Sequence, residues 1–154
     1  MNCTDGQRGA LQAARRLADA FRARDLHAAM DCFVPDDDIA YVGSEPAESA
    51  SGRAAVAALL TELFARPEAY AWDVRDASVF VKERVAYLSC EATGYVATAA
   101  GDEQSFPYRL SGLLEHTQSG WLWRACHGCE PSSAVSSHPA ASGSDTRHPG
   151  WDVS

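Results

Sequence analysis

From Ala69 to Glu130 the chain is four long runs of β-forming residues, "AYAWDVRDASVFV", "RVAYLSCEATGYVAT", "QSFPYRLSGLLEHT" and "GWLWRACHGCE", separated by "KE", "AAGDE" and "QSG". Connections this short can only return each strand beside the one before, so the segment predicts consecutive antiparallel strands. The runs are longer than most strands, which calls for bends or a bulge, with Gly94 and Gly112 as candidates. A sheet of this size has one face to bury, and the residues before it must supply the cover.

They do so with helices. "RGALQAARRLADAFRAR" sets Leu11, Ala14, Leu17, Ala18 and Phe21 on one helical face. Asp25 is a good N-cap for a second helix over "LHAAMDCF", which Pro35 and the acids at 36–38 stop. "DIAYVGS" reads as a short strand closed by Gly43, and "EPAESASG" as a polar loop. "RAAVAALLTELFAR" follows as a third helix with Val56, Leu59, Leu60, Leu63 and Phe64 inward, ended by Pro67. The order predicts an α+β fold, with three helices on one face of a curved antiparallel sheet. A sheet bent around helices leaves a cone with an open mouth, a favoured place for ligands. Residues 1–131 form one domain on this reading. From Ser132 to Ser154 the text is Ser-, Pro- and Gly-rich without apolar periodicity, and is expected to be disordered.

Composition narrows the function. The 154 residues are 46% hydrophobic, enough for one core, and carry a formal charge of −8. No basic run exists, which argues against nucleic acid and anionic membrane surfaces as partners. No segment approaches the ~20 apolar residues of a membrane span. The first residues lack a signal-peptide layout, and the five scattered cysteines read as reduced thiols, so a cytoplasmic protein is expected. Only Lys82 among thirteen basic residues is lysine, which suggests a GC-rich bacterial genome.

One pattern recurs. G-x-E-P occurs at 43–46 and again at 128–131, eighty-five residues apart, with unrelated flanks. It is therefore no internal repeat. Each copy reads as a strand exit at the rim of the cone: Gly permits a bend or close packing, Glu receives backbone N–H groups, and Pro stops further pairing. Glu45 and Glu130 are architectural first on this view.

The stretch "RDLHAAMDCFVPDD", a strand, "VGSEP" and "SGRAAVAALLTELF" together resemble the nuclear transport factor 2-like superfamily over about residues 8–131. The closing "YRLSGLLEHTQSGWLWRACHGCEP" looks like its SnoaL-like branch. The resemblance implies a cystatin-like α+β barrel with a mixed, cone-shaped sheet. Ketosteroid isomerases share that fold, but their catalytic set does not carry over. Ala40 stands where the general-base Asp would be, Leu17 at the donor Tyr, and Ser111 or Gly112 at the second donor. Carbanion chemistry of that kind requires such a base and such donors. The loop at 45–52 is also about three residues longer than the isomerase pattern implies.

Strict alternation in the last strand puts Trp121, Trp123, Ala125, His127 and Cys129 on one face and Leu122, Arg124, Cys126 and Gly128 on the other. The resemblance makes His127 pocket-lining, and an imidazole suits proton transfer near neutral pH. The plainer reading is a hydrogen-bonded core histidine. Arg109, if inward, clamps a carboxylate or enolate oxygen; if outward, it pairs with Glu91 or Glu115. The expected catalytic residues are thus His127 and Arg109. The expected cavity residues are Leu17, Phe21, Ala40, Trp72 and Leu88, with Cys90, Tyr108, Trp123 and Cys129. "CHGC" carries no metal or dithiol signal, because Cys126 and Cys129 point to opposite faces and no further ligand pair exists. A Cys129–His127 thiol–imidazole pair is a remaining option.

Two functions follow. One is a cofactor-free enzyme doing acid–base chemistry on an apolar metabolite, as an isomerase, cyclase or dehydratase. The other is a non-catalytic ligand-binding or dimerisation domain. Its homodimer would form through the outer sheet face that carries Tyr87, Ser89, Glu91, Thr93 and Tyr95.

Overall fold

The computed structural model describes residues 4–132. The Ser-rich segment read above as disordered lies, apart from Ser132, outside the described residues. Helix α1 (Asp5–Ala23) begins with a capping box, in which the Thr4 side chain and the Gln7 side chain each satisfy the other's backbone N–H. It buries Ala10, Ala13, Ala14, Leu17, Ala18 and Phe21. This alanine-rich stripe lets the helix lie close to the sheet, and a Cβ at Gly9 would overlap the Trp121 ring. Helix α2 (Leu26–Asp31) is capped by Asp25, whose carboxylate accepts from the Ala28 N–H at 3.0 Å. Helix α3 (Arg53–Ala65) has no side-chain N-cap of its own. Asp37 fills that role from across the loop, accepting the Arg53 N–H at 2.8 Å. The helix ends at Arg66, which precedes Pro67 and is extended.

The strands are β1 (Ala40–Val42), β2 (Ser49–Ser51), β3 (Ala69–Lys82), β4 (Val85–Ala97), β5 (Glu103–Thr117) and β6 (Gly120–Cys129). They form one six-stranded mixed sheet in the order β2-β1-β6-β5-β4-β3. The architecture is α+β as expected, but the sheet is open, with β2 and β3 at its edges. Strand β4 shows why one face is buried: Ala86, Leu88, Cys90 and Ala92 point to the helices, while Val85, Tyr87, Ser89 and Glu91 alternate outward. The expected loop at 45–52 contains β2, which pairs antiparallel with β1. Its Ser-Ala-Ser sequence has no strand signal of its own; the pairing comes from the tight turn that the Gly43 N–H closes on the Glu48 carbonyl at 2.6 Å.

Strands β1 and β6 run parallel, with Ala40 opposite Ala125, Tyr41 opposite Cys126 and Val42 opposite His127. Every pair is eighty-five residues apart. That is the offset between the two G-x-E-P copies, so the copies are neighbouring strand exits in one register.

The bulges meet expectation in part. One lies in β3 between Val74 and Ala77. The other sits just after Gly112, where Leu113 pairs with Ala125 but Leu114 pairs with Trp123. Gly94 stays in register. The second bulge leaves Arg124 as an extra residue in β6. Its guanidinium is tied to Glu115 at 2.6 Å, to Asp36 at 2.6 Å and to the Asp38 carbonyl at 2.8 Å. The bulge also reverses the alternation. Trp121 and Trp123 face the core, and beyond it Cys126 and Gly128 do, while His127 is exposed. Among the described residues no helix is long and apolar enough to cross a membrane.

Candidate functional site at the mouth of the cone

The C-terminal ends of α1, α3, β1 and β6 converge with the start of β3 and of β5 at one end of the sheet. They enclose a cavity there. Its walls carry seven rings: Phe21, Tyr41, Phe64, Tyr70, Trp72, Phe106 and Tyr108. The rings pack on one another, with centroids 4.6 Å apart for Phe21 and Trp72, 5.1 Å for Phe21 and Phe64, and 5.8 Å for Trp72 and Tyr108. Such pairs contribute about 0.5–1.5 kcal/mol each beyond burial, so the wall is rigid. The free space leaves ≈ 50 Å³ for the centres of water-sized molecules. A larger depression of ≈ 560 Å³ by the β5–β6 turn, between Phe33, Arg53 and Ser119, is broadly open to solvent. The enclosed, ring-lined space is the better binding site.

The rim is polar. Ser44 and Glu45 arrive from the first G-x-E-P exit and Glu130 from the second, with Glu48 and Arg24 beside them. Arg24, at the left-handed C-cap of α1, donates to the Phe64 carbonyl at 3.3 Å and the Arg66 carbonyl at 3.1 Å. It thereby ties the ends of α1 and α3 together and sets positive charge where their dipoles favour it. Arg66 donates to Glu48 Oε1 at 3.0 Å and lies 3.6 Å from Glu45. Glu48 is the one buried charged residue among the described residues. Glu130 is exposed and has no ion pair among them.

The exit glycines make room for these groups. A Cβ on Gly43 would overlap the Glu48 carboxylate, and one on Gly128 would overlap the Tyr108 hydroxyl. Burial pushes the Tyr41 and Tyr108 phenols well above their usual range. At neutral pH both are neutral hydroxyls able to donate. The indole Nε1 of Trp72 is buried and meets no acceptor. The cavity therefore combines neutral donors inside with carboxylates at the lip.

Several expected residues lie elsewhere. His127 does not line the cavity: the bulge at Arg124 turns its imidazole outward, to an exposed position. Arg109 is outward too and donates to Glu91 at 2.9 Å, the ion-pair alternative. Phe21, Trp72 and Tyr108 are brought together as expected. Leu17, Leu88, Cys90 and Trp123 are core side chains, 0–3% exposed. They lie deeper in the cone, where the interior is filled by its own atoms. Ala40 and Cys129 are half-buried and outside the cavity lining. Cys129 shares the outward face with His127, while Cys126 is buried. The four described cysteines are free thiols. Burial pushes Cys90 up to about 11, a poor nucleophile. Among the described residues no three His, Cys, Asp or Glu converge as metal ligands.

The sequence between residues 10 and 128 matches the model of the SnoaL-like domain. The chain belongs to that family. Solved structures show the same fold. A Novosphingobium aromaticivorans protein named provisionally as an aromatic ring hydroxylase aligns at 20% identity and TM-score 0.71, covering 84% of this chain and 92% of that one. A Streptomyces avermitilis protein named provisionally as a dehydratase of the nuclear transport factor 2-like family aligns at 16% identity and TM-score 0.70, covering 80% and 95%. A ketosteroid isomerase-like protein from Erwinia carotovora atroseptica aligns at 19% and 0.68, covering 84% and 99%. At these identities the likeness is one of fold. No curated protein matches the sequence. The SnoaL-like scaffold thus arrives here with its own set of polar groups. Glu48, Arg24, Phe64, Phe106 and Tyr70 are cavity residues that sequence reasoning missed. Only proximity to a strand or helix end on the mouth side would have found them.

Proposed function

We propose that this SnoaL-like protein holds a compact, largely apolar metabolite in the ring-lined cavity and moves a proton on it with the Glu130 carboxylate. The observation that carries this is a carboxylate with no ion pair among the described residues, at the lip of a cavity that also holds the neutral phenols of Tyr41 and Tyr108. A base at the rim takes a proton from carbon, the electron pair moves onto the substrate's heteroatom, and the donors hold the charge that develops. Returning the proton elsewhere gives isomerisation; expelling hydroxide, which takes the proton back from Glu130 and leaves as water, gives dehydration. The chain's own groups suffice for either, so no cofactor is invoked. Glu130 takes the role that the family resemblance gave to His127. The names of two structural neighbours, a dehydratase and a ketosteroid isomerase-like protein, favour the same class of chemistry.

Solvent-deuterium exchange into cyclohexanone, read by mass spectrometry, tests the reading. The wild-type protein should accelerate exchange, and Glu130→Gln should lose about a hundredfold or more of that rate. An unchanged rate in the variant removes Glu130, and no acceleration by the wild type removes the catalytic half of the proposal.

The outer sheet face favours a homodimer as the assembled form. Phe80, Tyr87 and Leu113 stand directly opposite one another across β3, β4 and β5, and are 69%, 48% and 38% exposed. An apolar row on an exposed sheet face is a surface suited to a second copy. Sedimentation equilibrium of the full chain reads the mass directly, and a monomer at micromolar concentration would remove this element.

A further inference from the structure

We infer that the cavity takes its ligand by a carboxylate group, held at the lip by the Nε–H and Nη2–H donors of Arg24. This rests on the pocket reading above and names the charged group that the apolar metabolite carries.

Arg24 is the single residue between α1 and Asp25, the N-cap of α2. So short a link calls for a left-handed residue, and Arg24 has φ 51° and ψ 38°. Glycine is the usual choice there, because a Cβ crowds the following carbonyl. Among the described residues the other non-glycine at positive φ is Glu83, in the β3–β4 turn. A long side chain held at a strained position points to a use for that side chain.

One use is the brace between α1 and α3. Nη1 donates to the Phe64 and Arg66 carbonyls. That occupies one nitrogen of three. Nε and Nη2 make no hydrogen bond, and the guanidinium makes no ion pair, among the described residues. The side chain is half-buried and borders the cavity. The bonds at Nη1 restrain the guanidinium, so its remaining donors are positioned before a ligand arrives.

The other charges at the lip show what the ligand should bring. Arg66 is engaged by Glu48 at 3.0 Å and lies 3.6 Å from Glu45. Glu130 borders the same cavity and makes no ion pair with Arg24. A carboxylate and a guanidinium, each without an ion-pair partner, thus border one ring-lined space. A ligand carboxylate answers the guanidinium and matches its planar fork. The apolar body of the ligand meets the rings. A phosphate monoester fits less well, because it carries nearly two charges into the field of Glu45, Glu48 and Glu130. On this reading Glu130 moves the proton and Arg24 selects the molecule.

Cyclohexanecarboxylate and cyclohexanecarboxamide have nearly the same shape and differ in charge. In calorimetric titration of the full-length protein the carboxylate should bind about tenfold more tightly. In ¹⁵N-labelled protein it should also move the Arg24 Nε–H cross-peak downfield, and the carboxamide should not. Arg24→Gln should bring the two affinities within about twofold of each other, and Arg24→Lys, which keeps the charge without the fork, should retain about a threefold preference. If Arg24 is a brace alone, both variants lower the melting temperature and keep the tenfold preference, which overturns the inference. Should neither variant fold, the wild-type readouts decide. Equal affinity for the two ligands, or a preference without the Arg24 shift, overturns the inference while the pocket stands. Tighter binding of phenyl phosphate than of cyclohexanecarboxylate overturns the choice of carboxylate. Binding of neither cyclohexane compound at millimolar concentration removes the pocket reading, and this inference with it.

Discussion

The two G-x-E-P exits lie side by side in one parallel register, and the same four-letter pattern ends in two different situations. At the first, Glu45 is 3.6 Å from Arg66, and its loop carries Glu48, which Arg66 holds at 3.0 Å against the Gly43 backbone. At the second, Gly128 receives a phenol instead of a carboxylate, and Glu130 makes no ion pair among the described residues. The first exit is closed by its own charges. The second leaves a charge unspent at the lip of a cavity. A motif at a strand end fixes where a side chain emerges, while its neighbours fix what it can do.

Steric change at the glycines tests this most forcefully. Gly128→Ala drives a methyl into the Tyr108 hydroxyl, and that ring is wedged between Trp72 and Phe106. A loss of roughly 2–3 kcal/mol is expected in urea or thermal unfolding. Gly43→Ala meets the Glu48 side chain, which sits on a short turn able to give way, and should cost roughly 1–2 kcal/mol. Equal losses would mean that the two exits are packed alike and that the contrast lies in charge alone.

Charge is the next cut. Glu48→Ala deletes the buried partner of Arg66 and a receiver of the turn, so about 1–2 kcal/mol of stability should go. Arg66 is itself 31% exposed and water will partly replace the lost contact. Glu130→Ala should change stability by less than about 0.5 kcal/mol, as surface substitutions do. A large loss from Glu130→Ala would show that the second exit is structural after all.

How much of this could be read in advance depends on which interactions are local. The helices and the four long strands were legible because periodicity, the Asp25 cap and Pro67 act within a few residues. The G-x-E-P spacing held more than it revealed: its offset is the register of β1 on β6, a long-range pairing that no local signal announces. His127 was misplaced for a definite reason. Alternation assumes an unbroken ladder, and one inserted residue, Arg124, turns the rest of β6 over. That insertion is stabilised from outside the strand, by Asp36, Asp38 and Glu115. β2 was missed likewise, since Ser49–Ser51 pair because a turn delivers them. Of the site, Trp72 and Tyr108 were foreseeable as strand aromatics; Glu48, whose position depends on Arg66, was not.

The finest distinction between the exits comes from alkali. One buried phenol backs each: Tyr41 lies in β1 just before Gly43, and Tyr108 presses on Gly128. Burial raises both well above 10.0, and raises Cys32 and Cys90 from 9.0 to about 11. Below pH 9 the folded and unfolded chains hold all these protons, and nothing is gained or lost. Between pH 9 and about 11 the unfolded thiols ionise while the folded ones do not, so stability falls as pH rises. Above pH 10 the unfolded phenols join them. At pH 10 each phenol that stays protonated only in the fold should lower stability by roughly 0.4 kcal/mol. Tyr41→Phe and Tyr108→Phe should each remove one such share of the decline, measured as the drop in melting temperature from pH 8 to pH 10.5. If only Tyr108→Phe flattens the curve, the first exit lets water reach its phenol, and it is the first strand, not the second, that opens the cone.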